Sequence, residues 1–107
     1  MELARHVYRL TKDFPREEMF GLTSQMRRAA ISIPSNIAEG QGRLTDKAFS
    51  VFLGHSRGSL FELETQAELA ESLGYLEKEQ MEKLLSASGE VGRMINGLLN
   101  SMKEGNS

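Results

Sequence analysis

The 107-residue chain contains no cysteine, no tryptophan and only two prolines. Without cysteine it can form no disulfide, offers no thiolate nucleophile and cannot hold zinc or an iron–sulfur cluster through sulfur, so we expect a reducing, cytoplasmic setting. No apolar run approaches the roughly 20 residues that cross a bilayer. The segment from Met1 to Arg5 begins with an acid at its second position and has no apolar core. We therefore expect neither a signal peptide nor a membrane span.

The composition that is present is typical of a water-soluble globular protein. Hydrophobic residues make up 39% of the chain and charged residues 26%, and the formal net charge is −2. A chain of this length predicts one domain over residues 1–107 with a modest core. Because the net charge is negative, the chain as a whole is not a polycation.

The apolar residues recur at intervals of three and four, which predicts helices nearly throughout. Proline and glycine residues between the periodic segments predict four helices, over about 2–13, 22–40, 46–73 and 77–103. No segment alternates as a strand would, so we predict an all-α protein, an antiparallel up-down-up-down four-helix bundle. The predicted buried stripes are Leu3, Val7, Leu10 and Phe14; Leu22, Met26, Ala29, Ile33 and Ile37; Phe49, Phe52, Leu53, Ser56, Leu60, Leu63, Ala67 and Ala70; and Met81, Leu84, Ser88, Val91, Ile95, Leu98 and Met102.

Local signals predict how these helices begin, bend and end. Thr23 and Thr45 are expected N-caps of the second and third helices. Gly74 is the expected glycine just beyond the third helix. Pro34 lies inside the second helix and cannot donate to the carbonyl of Ala30, which predicts either a kink or a break followed by a restart.

Glycines are unusually frequent in the third and fourth predicted helices. Each interior glycine costs a helix about 0.5–1 kcal/mol relative to alanine, so their number indicates close approach to a neighbouring backbone. That neighbour lies either inside the bundle or in a second subunit. The candidates for a contact between subunits are Gly54, Gly58, Gly89 and Gly92.

No cluster of residues indicates catalysis or a bound metal, and we predict no catalytic residue, no metal site and no cofactor. His55 has no further metal-ligand residue on its helix face and His6 has only Glu2, so we interpret both histidines as surface or structural residues. The row Glu64, Glu68 and Glu71 lies away from the apolar stripe and is interpreted as a solvated face. The Gly40–Arg43 segment lacks the strand and the lysine of a phosphate-binding loop.

The charges are unevenly distributed along the chain. Residues 1–43 carry seven Lys/Arg against five Asp/Glu, whereas residues 44–74 carry two against five. A basic face can contact phosphates, and it can equally be a solvated face with pairs within the helix, such as Glu2 with Arg5. The candidate nucleic-acid-binding residues are Arg5, Arg9, Lys12, Arg16, Arg27 and Arg28.

Longer motifs resemble a known family. The stretches Phe14–Glu18, Gly21–Ala30, Ser32–Gly40, Arg57–Leu60 and Glu62–Gln66 resemble the 23S rRNA-intervening-sequence proteins, a four-helix bundle family, over residues 3–100 in one register. That family is also similar to the accessory variability determinant of diversity-generating retroelements.

The resemblance implies an antiparallel four-helix bundle that assembles into a homo-oligomer, with a pentamer favoured, and it does not imply an enzyme or a small-molecule substrate. It implies RNA, DNA or a reverse transcriptase as possible partners. The accessory subunits are strongly basic, whereas this chain has a net charge of −2. The favoured function is therefore a non-catalytic, self-assembling scaffold, and the alternative is a nucleic-acid- or reverse-transcriptase-binding accessory protein.

The family-signature residues receive structural roles. A nearby side chain, with Asn36 and Glu39 on the next helical turn, or a water molecule is expected to satisfy the Ala30 carbonyl, and Arg28 is expected to pair with Glu39 between helices or subunits. Ligand binding is the alternative to these structural roles. The residues to which the resemblance assigns such roles are Pro34, Asn36, Glu39, Gly40, Arg57 and Gly58.

Overall fold

A computed structural model describes residues 2–105, with side chains described for residues 2–103. The chain forms α1 (Glu2–Thr11), a single 3-10 turn (Arg16–Glu18), α2 (Leu22–Gln41), α3 (Asp46–Ser72) and α4 (Lys78–Gly105). Residues 2–105 contain no β-strand. The predicted all-α four-helix bundle is therefore confirmed.

Each helix of the bundle packs against the helices before and after it in the chain, and α4 also packs against α1. α2 lies between α1 and α3, and α4 lies between α3 and α1, while within the described residues no Cα atoms of a diagonal pair approach within 8 Å. The bundle measures 48 × 24 × 18 Å. Since α1 is only 10 residues long and α3 is 27, the first helix covers part of the bundle's length.

The apolar stripes predicted from the three- and four-residue spacing face the core. Val7, Met26, Leu60, Leu63 and Ile95 are almost completely buried, and most of the remaining stripe residues are buried or half-buried. Burial of such side chains contributes roughly 1.5–3 kcal/mol each, so these stripes are what hold the four helices together.

The connection between α1 and α2 differs from the prediction at both ends. α1 ends at Thr11, two residues short of the predicted end, and the Thr11 hydroxyl donates to the Val7 carbonyl at 2.8 Å. The prediction that Thr23 caps α2 is wrong, because Thr23 is buried one residue inside the helix. The Glu18 carboxylate caps α2 instead, accepting from the Leu22 amide at 3.1 Å, and it also accepts from the Tyr75 hydroxyl at 2.9 Å.

α2 runs without a break through Pro34. No side-chain hydrogen bond within residues 2–103 ends on the Ala30 carbonyl; Asn36 Nδ2 donates to the Ser32 carbonyl at 2.8 Å instead. The buried Ser56 hydroxyl of α3 donates to the Ile33 carbonyl at 2.8 Å, one residue before the proline. The helix is thus supported around Pro34 by its neighbour α3, and the predicted role of Asn36 is corrected.

The ends of α2 and α3 are set by glycine and threonine. Gly40 is buried within α2, and a Cβ there would lie 2.8 Å from atoms of Phe49 and Phe52, so only glycine lets the two helices approach this closely. Thr45 caps α3 as predicted, accepting from the Ala48 amide at 3.1 Å.

The turn between α3 and α4 closes with glycine in the left-handed region. Gly74 has φ +81°, its amide donates to the Glu71 carbonyl at 3.0 Å, and the Tyr75 amide donates to the Ala70 carbonyl at 2.9 Å. These two bonds form a Schellman motif, which satisfies the last carbonyls of the helix. The glycine predicted just beyond the third helix is confirmed.

Candidate functional surfaces

The part of the chain whose side chains are described contains no cluster of three metal-binding residues. His6 is half-buried on α1, and its pKa is lowered first by burial and then by the positive charges of Arg9 and Lys83. His55 is exposed, with its ring edge-on to Phe52 at 5.8 Å between centroids. These surroundings give neither histidine a partner for acid–base or metal chemistry.

The interpretation of Glu64 as part of a solvated face needs correction. Its carboxylate accepts a hydrogen bond at 2.7 Å from the hydroxyl of Ser88, a nearly completely buried residue of α4. Glu68, in the same row, is exposed. Glu64 therefore joins α3 to α4, because a buried hydroxyl needs a hydrogen-bonding partner.

The six candidate basic residues are spread over α1, the 3-10 turn and α2. Arg5, Arg9 and Lys12 are exposed on α1, and Arg5 forms an ion pair with Glu2 at 3.1 Å. Arg16 is exposed in the 3-10 turn, while Arg27 and Arg28 lie on α2, on the outer side of the bundle.

Arg27 is the one basic residue of this set that is fixed by the fold. Its Nε donates to the Thr11 hydroxyl at 2.9 Å, and its guanidinium lies 4.6 Å from the centre of the Tyr8 ring. These contacts come from α1, so packing of α1 against α2 positions the charge. Neither Arg27 nor Arg28 forms an ion pair within residues 2–103.

A shallow groove of about 520 Å³ runs over this part of the surface. We call its outward-facing part the α2 face: Tyr8, Met19, Ser24, Arg28 and Ile31. A smaller depression of about 90 Å³ adjoins it and adds Lys12 and Arg16. No acidic residue lines either depression, and the exposed part of the α2 face is a mixture of apolar and basic side chains.

The outer surface of α3 is apolar as well, which sequence reasoning missed. Val51, Phe61 and Leu69 are 52%, 58% and 48% exposed and recur on the side of α3 opposite Leu60 and Leu63. Residues 51, 58, 61, 65 and 69 are separated by seven, three, four and four positions, and this helical spacing was the sequence signal for a second stripe on one side of α3. We call the α3 face Val51, Gly54, Gly58, Phe61, Thr65 and Leu69, with Glu62 and Glu68 exposed at its edges.

The four glycines proposed as contacts between subunits occupy three different environments. A Cβ on Gly92 would lie 3.2 Å from Leu60 Cδ2, so close packing of α4 on α3 accounts for that glycine. On Gly89 the nearest atom would be Arg93 Nη1 of the same helix, at 3.5 Å. Gly54 and Gly58 would meet nothing within 4 Å, so packing inside the bundle does not account for them.

The remaining signature residues make local or interhelical contacts. The Glu39 carboxylate pairs with Arg43 at 2.7 Å and not with Arg28, which lies eleven residues earlier on the same helix. Arg57 Nη1 donates to Asn96 Oδ1 at 3.0 Å, which links α3 to α4. Pro34 lines a cavity of about 250 Å³ between α1, α2 and α4, where Glu2 is the one titratable residue among otherwise apolar walls.

None of the helices within residues 2–105 has an apolar stretch long enough to traverse a membrane. No curated protein matches the chain. A crystal structure determined at 1.70 Å from Bacteroides thetaiotaomicron VPI-5482, described as a protein with unknown function from the S23 ribosomal protein family, superposes with a TM-score of 0.84. The two chains are 24% identical, and the match covers 92% of each, so they share the four-helix fold. The family model for the 23S rRNA-intervening sequence protein matches residues 1–97, and this chain therefore belongs to that family.

Proposed function

We propose that this chain is a non-catalytic scaffold that assembles with copies of itself into a ring, with five copies favoured. The observation that carries the proposal is the α3 face, where three large apolar side chains are about half exposed along one helix. Exposed apolar side chains that recur along one face of a helix mark a candidate interaction surface.

The two open glycines support the same function. Gly54 and Gly58 each weaken α3 by about 0.5–1 kcal/mol relative to alanine. Nothing within 4 Å in the bundle benefits from the missing side chain. Placed four residues apart on one face, they allow the backbone of another helix to come close, as it does where helices of separate subunits cross.

A scaffold fits the chemistry of the described residues better than an enzyme does. The larger groove is shallow, its charged groups are arginines, and it holds no carboxylate, histidine or activated hydroxyl in an acid–base pair. The Ser32 and Ser59 hydroxyls, which bond to each other at 2.7 Å, join α2 to α3. A serine hydroxyl is a weak nucleophile unless a general base beside it accepts its proton.

Nucleic-acid binding is the alternative, and the acid-free groove is the observation in its favour. Lys12, Arg16, Arg27 and Arg28 line the groove or the depression beside it, whereas Arg5 is paired with Glu2. If RNA or DNA bound here, affinity would fall steeply with salt, and changing Arg5 and Arg9 to Glu would abolish it. A reverse transcriptase as partner stays a prediction from the resemblance alone.

Light scattering on the purified protein at tens of micromolar tests the scaffold directly. We expect a mass several times that of one 11.9 kDa chain. Leu44→Asp serves as the control, because Leu44 is 100% exposed in the turn between α2 and α3 and lies outside the α3 face. Phe61→Asp should lower the mass to that of a single chain, whereas Leu44→Asp should not. A wild-type mass of one chain would refute self-assembly.

A further inference from the structure

We infer that copies of this chain join head to tail, with the α2 face of one copy covering the α3 face of the next. This inference rests on the proposed self-assembly and names the two surfaces that carry it. A ring requires two different, complementary surfaces on each subunit, because a surface that pairs only with itself closes into a dimer. The α3 face is therefore one half of a ring contact, and the other half must lie elsewhere on the bundle.

Beyond Arg57, which donates to Asn96, the α3 face is apolar at its centre and acidic at its edges. From Gly58 to Leu73, α3 and its cap carry four glutamates and no lysine or arginine. Glu62 and Glu68 are exposed beside Phe61 and Leu69, whereas Glu64 is held by Ser88. The partner of this face should therefore present apolar side chains with basic residues around them.

The α2 face has that character. Tyr8, Met19 and Ile31 are 38%, 54% and 44% exposed, and the neighbouring Arg28 is exposed without an ion pair among the described residues. Residues 19–38 contain two arginines and no acid. Arg27 behind this face is held by Thr11 and Tyr8, so its charge is in place before a partner arrives.

A second copy satisfies more of the α2 face than a nucleic acid would. A phosphate backbone would pair with the arginines and leave the three apolar side chains without a partner. The chain's net charge of −2 also opposes long-range attraction of a polyanion. The α3 face of another copy offers apolar side chains for the apolar residues of the α2 face and glutamates for its arginine. Because both faces belong to the same chain, they are always present at equal concentration.

Mixing two variants tests this arrangement. Ile31→Asp disables the α2 face and Phe61→Asp disables the α3 face; both side chains are about half exposed, and circular dichroism checks that each variant is folded. Each substitution should weaken the contact at least about 30-fold, as expected at an interface hot spot, so each variant alone should be a monomer. An equimolar mixture retains one intact pair of faces and should form a dimer of twice 11.9 kDa that does not grow further.

Charge exchange provides a second arm. Arg28→Glu and Glu62→Arg should each weaken assembly about fivefold or more, and combining both in one chain should restore much of the loss. Leu44→Asp, outside both faces, should assemble as the wild type does.

The outcomes separate this inference from the proposed function. A monomeric wild-type protein would refute both the proposed self-assembly and the head-to-tail contact. An assembled wild type whose mass survives Ile31→Asp would leave the scaffold standing and overturn the head-to-tail contact, as would a dimer formed by either variant alone. Loss of duplex-DNA or rRNA retention in Arg28→Glu with no change of mass would assign the α2 face to nucleic acid and overturn the inference as well.

Discussion

Replacing Gly58 with alanine should stabilise the isolated chain and weaken the assembly. A Cβ at Gly58 meets nothing within 4 Å, so the new methyl group causes no clash inside the bundle. The gain in helix propensity is about 0.5–1 kcal/mol, which for a domain of this size raises the melting temperature by about 2–6 °C. In the contact between copies, by contrast, an added methyl at a close helix crossing costs roughly 1–3 kcal/mol.

Gly97 offers a matched control for this experiment. It is exposed in α4, a Cβ there also meets nothing within 4 Å, and it lies outside both proposed faces. Gly97→Ala should therefore raise the melting temperature by a similar amount and leave the assembled mass unchanged.

The two effects are measured separately. Thermal unfolding is followed in a Phe61→Asp background, where we expect single chains, and assembly is followed by sedimentation as a function of concentration. If Gly58→Ala and Gly97→Ala assemble equally well, Gly58 is not part of a contact between copies. If Gly58→Ala lowers the melting temperature of the single chain, the claim that a Cβ at Gly58 meets no neighbouring atom is wrong.

Three further predictions concern the bundle itself. Gly40→Ala should lower the free energy of unfolding by about 1–3 kcal/mol in chemical denaturation, since its Cβ would lie 2.8 Å from the Phe49 ring; an unchanged stability would contradict that packing. The hydrogen bond to Glu18, and after it burial, raises the pKa of Tyr75. The pair therefore stabilises the fold fully below about pH 10, and this stabilisation is lost as the pH rises through the pKa of Tyr75 in the folded state. Glu18→Gln should lower the pH at which tyrosine titrates in ultraviolet absorbance. Burial lowers the pKa of His6 below its usual 6.5, so stability should fall as pH drops from 6.5 towards the folded pKa, and a His6→Gln variant should lose that part of the dependence.

Spacing along the chain was sufficient to predict the helices and their buried sides. Residues such as Val7, Leu60 and Ile95 recur every three or four positions, and that period is itself the geometry of a buried helix face. Caps within a few residues were equally predictable, as Thr45 and Gly74 show.

What the sequence did not predict depends on residues that meet across the fold. Glu18 caps α2 while it binds Tyr75, 57 positions later in the chain, and this combination displaces Thr23 from the predicted role. Glu64 was assigned to solvent because its partner, Ser88, lies on another helix. Glycine frequency alone could not separate Gly92, which the bundle explains, from Gly58, which it does not.

The mass of the wild-type protein in solution tests the central claim, that exposed apolar faces on this bundle are surfaces for copies of itself. Multi-angle light scattering during size exclusion, at tens of micromolar, should give a mass of several times 11.9 kDa, with five copies favoured. A mass of 11.9 kDa across the accessible concentration range would contradict the account.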